Sequence, residues 1–331
     1  MSSPATGDGE KTSGPPLVPE VDSPSPFASP LTGATAILAG PPGRPAAPEG
    51  GGGGTGTAAP VRNDGVDSAE SARPGRTARR PGDRPSGPLC VRALGNAAVE
   101  LGGTALTAAD WGYAKPRELL FLLITSPPLT RERLRAALWP ELSSKQLGNA
   151  LHTALRELRR ALGDPDWIVY AAGHYGVNRD RAFDCDVDTF ESSLAAAGRA
   201  RPASAGLPDL RRAVAAYGGD FLAGMTTTGE WARTRREELR RRFETALLAT
   251  GRLHMAAGNH QAAVTAFRRA IEHEPLNESA HRELMTCWAR LGEPARAVRH
   301  YADLAGRLRE QVGVSPAPET TALADRLSGR G

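Results

Sequence analysis

Apolar residues recur at helical spacing most clearly between positions 130 and 162. Leu147, Leu151, Ala154, Leu155, Leu158 and Leu162 fall at i, i+4, i+7, i+8, i+11 and i+15, which draws one core-facing stripe along a single helix. The other face of that helix carries Lys145, Asn149, His152, Thr153, Arg156, Arg159 and Arg160. A shorter amphipathic helix precedes it, with Thr130 as N-cap and Arg133-Leu134 opening its periodic pattern, and Pro140 breaks the two apart. An earlier helix is predicted from about Lys115 to Thr125 on the apolar positions Leu119, Leu120, Leu122 and Leu123, stopped by Pro127-Pro128.

The pattern changes on either side of these helices. Before them, Val91-Arg92-Ala93-Leu94 and Val99-Glu100-Leu101 flank a Gly95-Asn96 turn signal, and Ala105-Leu106-Thr107 offers a third short strand. After them, Trp167-Ile168-Val169-Tyr170 is a β-prone run, Ala171-Ala172-Gly173-His174 a turn, and Tyr175-Gly176-Val177 a returning strand. Helix, helix and β-hairpin in that order make a winged helix. Such a fold places its second helix in the DNA major groove. There Asn pairs with adenine edges, Arg with guanine, and the remaining cations with phosphate. The competing reading is a solvated surface helix, because charged helix faces are common.

A second periodicity is far longer. Gly258, Ala263, Phe267 and Ala270 recur 34 residues later as Gly292, Ala297, Tyr301 and Leu304, and 34 is the tetratricopeptide period. Gly251 and Pro275 complete the first unit, whereas Met285 and Arg309 stand in the corresponding places of the second. Further helices are predicted at Asp188 to Ala200, Leu207 to Tyr217 and Glu230 to Leu248. The small and aromatic positions of the repeat are core packing. Stacked helix pairs of this kind form an α-solenoid with surfaces for partner proteins.

Residues 1–88 have no such pattern. They are rich in Pro, Gly, Ser and Ala, include the run Gly50 to Gly54, and cannot bury enough apolar surface to offset chain entropy, so a disordered tail is expected. Its end is basic, with Arg73, Arg76, Arg79, Arg80 and Arg84, which reads as a solvated linker or as an arm adding phosphate attraction. The net charge of +4 says little, because nearly every cation is Arg and the Ala, Gly and Pro content marks a coding bias. Only arginines placed by helical phase count as candidates.

The order of small sheet, three helices and hairpin resembles the winged-helix domain of OmpR-type response regulators. More narrowly, Lys115-Pro116-Arg117-Glu118-Leu119-Leu120, Leu134-Arg135-Ala136-Ala137-Leu138-Trp139-Pro140 and Leu155-Arg156-Glu157-Leu158-Arg159-Arg160-Ala161-Leu162 resemble the SARP-type activators. Those proteins couple such a domain to a bacterial transcriptional activator domain. The fold expected is therefore mainly α: a disordered tail over 1–88, a winged helix-turn-helix with a small β-sheet and wing hairpin over 89–181, and a tetratricopeptide-like α-solenoid over 186–327. The resemblance implies a sequence-specific activator on double-stranded DNA. It also implies contacts with RNA polymerase, self-association into a homodimer, or both. Base readout falls to Asn149, His152, Thr153 and Arg156, backbone contacts to Arg159 and Arg160, and phosphate contacts to Lys145, Lys115, Arg131 and Arg135. The wing departs from the family, with Gly176-Val177 where a basic residue is often found, and Glu157 sets a negative charge beside the reading surface. The alternative function is an interaction scaffold whose winged helix does not read DNA.

Enzyme chemistry finds no foothold. Phosphate-loop, Gly-x-Ser-x-Gly and HExxH motifs are absent from the sequence. His254, His260, His273 and His281 lack a second ligand at i+4, and Asp184, Asp186 and Asp188 lack the glycine and terminal glutamate of a calcium loop, so they are expected to cap a helix near Thr189. His174 is expected to be an exposed turn residue. Cys90, Cys185 and Cys287 are far apart and odd in number, which suits reduced thiols in the cytoplasm. The start of the chain has no secretory pattern and the apolar run Leu119 to Ile124 is too short to span a membrane. No cofactor is expected.

Overall fold

The computed structural model describes residues 87–226 and 229–329. The expectations for the tail and its basic run therefore lie, but for Gly87 and Pro88, outside the described residues. Three strands open the fold: β1 (Leu89–Arg92), β2 (Ala98–Leu101) and β3 (Thr104–Ala105), each antiparallel to the one before. The helix α1 (Ala114–Ile124) follows, then β4 (Leu129–Thr130), α2 (Arg131–Leu138) and α3 (Ser144–Ala161). The hairpin β5 (Ile168–Ala171) and β6 (His174–Val177) closes the winged helix, and β4 pairs with β6 to make a three-stranded wing sheet. Trp167 belongs to a 3₁₀ turn before β5, with its indole buried, and β3 ends before Leu106, so both strands are shorter than the apolar runs suggest. At the hairpin tip Ala172 and Gly173 both have positive φ, the conformation that a two-residue turn between twisted strands requires.

The chain then turns back under its own beginning. β7 (Phe183–Cys185) runs parallel to β1 and completes the first sheet in the order β3-β2-β1-β7. Seven helices follow: α4 (Asp186–Arg199), α5 (Leu207–Ala216), α6 (Glu230–Ala256), α7 (His260–His273), α8 (Glu278–Arg290), α9 (Pro294–Val312) and α10 (Pro318–Leu327). Each packs on its neighbour in sequence, as in a solenoid. The helix α6 runs two turns beyond Leu248, where sequence reading ended it, because Gly251 and Met255 pack into the repeat core.

The first repeat unit shows why its pattern exists. Phe267 of α7 is fully buried against Gly251 of α6, so closely that a methyl group at Gly251 would collide with the ring. Met285 fills the equivalent place in the second unit, and Tyr301 stays half-buried, its hydroxyl 3.0 Å from Thr321 Oγ1 on α10. Gly258 and Gly292, one period apart, each take positive φ in the turns before α7 and α9.

One carboxylate joins the two halves. Asp186, the first residue of α4, is buried and accepts from the backbone N–H of Ala93 and Leu94 at 2.9 Å and of Val187 at 2.8 Å. Burial raises its pKa, opposed by those three donors. The segment after α5 grips the same turn: Leu222 N donates to Ala93 O at 2.7 Å and Gly95 N to Asp220 O at 3.1 Å. Asp184 and Asp188 act elsewhere, on Arg92 at 2.8 Å and Arg179 at 2.5 Å, so the three aspartates do not form a common cap, and α4 starts at Asp186. The buried apolar residues from Leu89 to Leu247, with Ala270 and Ala280, form one continuous core, so the winged helix and the first repeat helices share it.

Two outcomes follow. Asp186→Ala leaves the buried N–H groups of Ala93 and Leu94 without their acceptor and should cost about 2–6 kcal/mol, at roughly 1–3 kcal/mol for each orphaned group. Urea unfolding measures it, and a loss under about 1 kcal/mol would contradict the assigned role. The second outcome concerns His281 and His300, whose rings meet at 2.7 Å between α8 and α9. Burial lowers both, His300 to about 4. Between that value and the ordinary histidine value the unfolded chain binds more protons, so stability is full above about pH 6.5 and falls as the pH drops toward 4. His300→Gln should flatten that decline relative to the parent; an unchanged slope would show that the pair contributes nothing to it.

Candidate nucleic-acid interface

The leucine stripe of α3 is buried from Leu147 to Leu162 against α1 and the first 3₁₀ turn, which fixes which face is left to solvent. A capping box starts the helix: Ser143 Oγ accepts from Gln146 N, and Gln146 Oε1 from Ser143 N at 3.0 Å. The Ser-x-x-Gln signal stood in the sequence and would have dated the helix start to Ser144. Thr130 N-caps α2 as expected while also pairing with His174 in the wing sheet. The wing is thereby tied to the start of the helix-turn-helix.

Lys145, Asn149, His152 and Arg156 form the exposed stripe, at i, i+4, i+7 and i+11. Eleven residues of α-helix span about 16 Å. The first three make no hydrogen bond or ion pair with the described residues. Among the described residues Arg156 pairs only with Glu157, at 3.1 Å, and keeps 69% of its side chain exposed. Thr153 is half-buried at the margin.

The remaining candidates are engaged with the fold. Glu157 also holds Arg160 at 2.7 Å, and that guanidinium, first, and Arg156 after it keep the carboxyl below its ordinary range. Arg160 reaches the Asp110 carbonyl at 3.4 Å, and Arg159 donates to Ile168 O at 3.3 Å, pinning α3 to the wing. Arg135 spans the turn between α2 and α3 through the carbonyls of Pro140 and Leu142, at 3.5 and 3.4 Å. Arg131 lies across α3, 3.4 Å from Ser144 O, in the space that Gly148 leaves by having no side chain. Lys115 neutralises the buried Glu118 at 2.8 Å. Arg133, exposed on α2 and without a side-chain partner among the described residues, was not among the sequence candidates.

Residues 185–328 match the model of the bacterial transcriptional activator domain. The regulatory protein AfsR of Streptomyces coelicolor is 32% identical over 260 residues, covering 75% of this chain and 25% of that protein. That match is longer than the activator-domain segment and so takes in winged-helix residues. The AfsR of Streptomyces griseus is 30% identical over 224 residues, covering 65% of this chain and 22% of that one. The chain is thus similar to regulators of the SARP type. It spans about a quarter of the length of these curated relatives. The solved structure of Mycobacterium tuberculosis EmbR in complex with a low affinity phosphopeptide shares the fold, with a TM-score of 0.60 at 21% identity over 73% of this chain and 65% of that chain.

The wing tip of this chain carries neither Lys nor Arg. Ala172, Gly173 and His174 are exposed, with His174 Nδ1 turned to the Ala172 carbonyl at 2.8 Å. Tyr170 is 61% exposed on the wing face, its ring 4.6 Å from that of Tyr175. Among the described residues no group of three His, Cys, Asp or Glu side chains is placed to hold a metal ion, and no helix is long and apolar enough to cross a membrane.

Proposed function

We propose that this protein is a sequence-specific DNA-binding transcription activator that acts in the cytoplasm without enzymatic activity. The exposed, largely unpartnered stripe of Lys145, Asn149, His152 and Arg156 carries the reading. On α6, by contrast, cations pair along the helix, with Arg233 on Glu230 and Arg240 on Glu244. The stripe of α3 instead offers a base-reading amide, an imidazole and a guanidinium to one groove, with Thr153 at its edge. Lys145, Arg131 and Arg133 approach the phosphates, and Arg160 completes the backbone contacts once it leaves Glu157. Lys115, Arg135 and Arg159 position the helix-turn-helix and contribute charge. The helical repeat supplies the surface for RNA polymerase or for a second copy of the chain, in keeping with the activator domain it matches.

Alanine substitution separates the roles. Arg156→Ala should cost about 1–3 kcal/mol on the cognate site and relax base preference at one position. Arg160→Ala should weaken cognate and scrambled duplexes alike and flatten the salt slope by about one unit. Binding titrations on both duplexes at two salt concentrations check this. Equal and negligible effects would set aside reading by α3 and favour the interaction scaffold.

A further inference from the structure

Helices α7, α8 and α9 enclose a groove of about 470 Å³, within the range of sites that take a ligand of several functional groups. Ile271, Leu284 and Trp288 give it an apolar floor. Arg268 stands on one wall, and Arg296, Arg299 and Arg307 on the other. Two acids, Glu272 and Asp303, also line it, leaving an excess of positive charge.

Several arginines of the repeat body are answered internally: Arg235 by Glu191 and Glu238, Arg242 by Glu191, Arg252 by Glu283. Arg268, Arg299 and Arg307 are exposed and make no hydrogen bond or ion pair with the described residues. Three unanswered cations from two helices converge on one concavity. Arg296 lies over the Trp288 ring at 4.5 Å, so the indole is covered and offers no platform for a stacked base. That cover, with Glu272 and Asp303 beside it, argues against a nucleic acid.

The groove is also held in shape. His281 Nε2 is 3.0 Å from the Pro275 carbonyl, which can only accept, so that nitrogen carries the proton. His281 Nδ1 therefore accepts from His300 Nε2 at 2.7 Å, and the two rings join α8 to α9 while the Trp288 ring meets His300 edge-on at 5.0 Å. A wall fixed before the ligand arrives lowers the cost of binding.

We propose that this groove docks an acidic peptide segment of a partner protein. Its carboxylates meet Arg268, Arg299 and Arg307, which suit bidentate pairing. An aliphatic side chain of the same segment packs on Ile271, a need that a small inorganic anion would not meet. The assignment does not depend on DNA reading by α3.

The test uses the full chain and a short fluorescein-labelled peptide of Asp and Glu with a central leucine, followed by anisotropy at physiological salt. Its Lys-for-acid counterpart serves as the reversed probe. The acidic peptide should bind and the basic one should not. Arg268→Glu/Arg299→Glu should weaken binding by at least about tenfold. A control with the same charge change on exposed, unpaired residues of α4 and α5, Arg199→Glu/Arg211→Glu, should leave it unchanged. The milder Arg268→Gln/Arg299→Gln pair, with a parental melting transition, should show the same loss and guards against misfolding. No binding by the parent chain, or equal loss in groove and control variants, would overturn the proposal. So would displacement by low concentrations of inorganic phosphate, which marks a generic anion site. A dimer that dissociates in the groove variants would overturn it in favour of a second copy of the chain.

Discussion

The carboxylate of Asp186 is the constraint on which the arrangement depends. It sits at the first residue of α4, yet its acceptors are spent mostly on Ala93 and Leu94, at the far end of β1. Those two N–H groups lie where the strand turns away and would otherwise be buried without partners. Because β7 runs directly into α4, the same few residues finish the first sheet and start the helical body. The turn after β1 is then gripped from a second side by the segment at Asp220 to Ala223. A continuous core follows from this, and with it a helical body that cannot swing freely against the winged helix.

The winged helix divides its cations between two tasks. Arg135 and Arg159 bind backbone carbonyls and set the angle of α3; Lys115 offsets a buried glutamate. What remains on the outer stripe is small in number and almost free of internal partners. Glu157 is the link between the groups, holding Arg160 and brushing Arg156. On the proposed reading, a phosphate approaching Arg160 has to compete with that carboxylate, which would temper nonspecific binding and shift weight toward base contacts. A wing tip without Lys or Arg points the same way.

Periodicity made much of this legible. The leucine stripe of α3, the 34-residue repeat and the hairpin signal each reflect a rule that acts within one element or between neighbours, and each stands in the structure as the sequence suggests. Contacts that join distant residues were not legible. Asp186 and Ala93 are 93 residues apart, and an aspartate before a helix reads as an ordinary cap. Arg131, Arg135 and Arg159 look, by residue type and phase, the same as free cations; only the carbonyls beside them reveal otherwise. The pairing of His281 with His300 joins two helices whose relative rotation no single-helix pattern encodes. Tyr301, which matches the repeat position of Phe267, ends half-buried because Met285 occupies the space that Gly251 leaves open in the first unit.

The central claim is that α3 presents a DNA-reading face, and the salt dependence of binding tests it most directly. Duplexes selected by the full chain from a random pool would be titrated across a range of salt, beside scrambled controls. With about four to six phosphates met by Lys145, Arg131, Arg133, Arg160 and their neighbours, log affinity should fall against log salt with a slope of about −4 to −5, and the selected duplexes should share one sequence. A chain that enriches no sequence and shows no salt-sensitive binding would contradict the account.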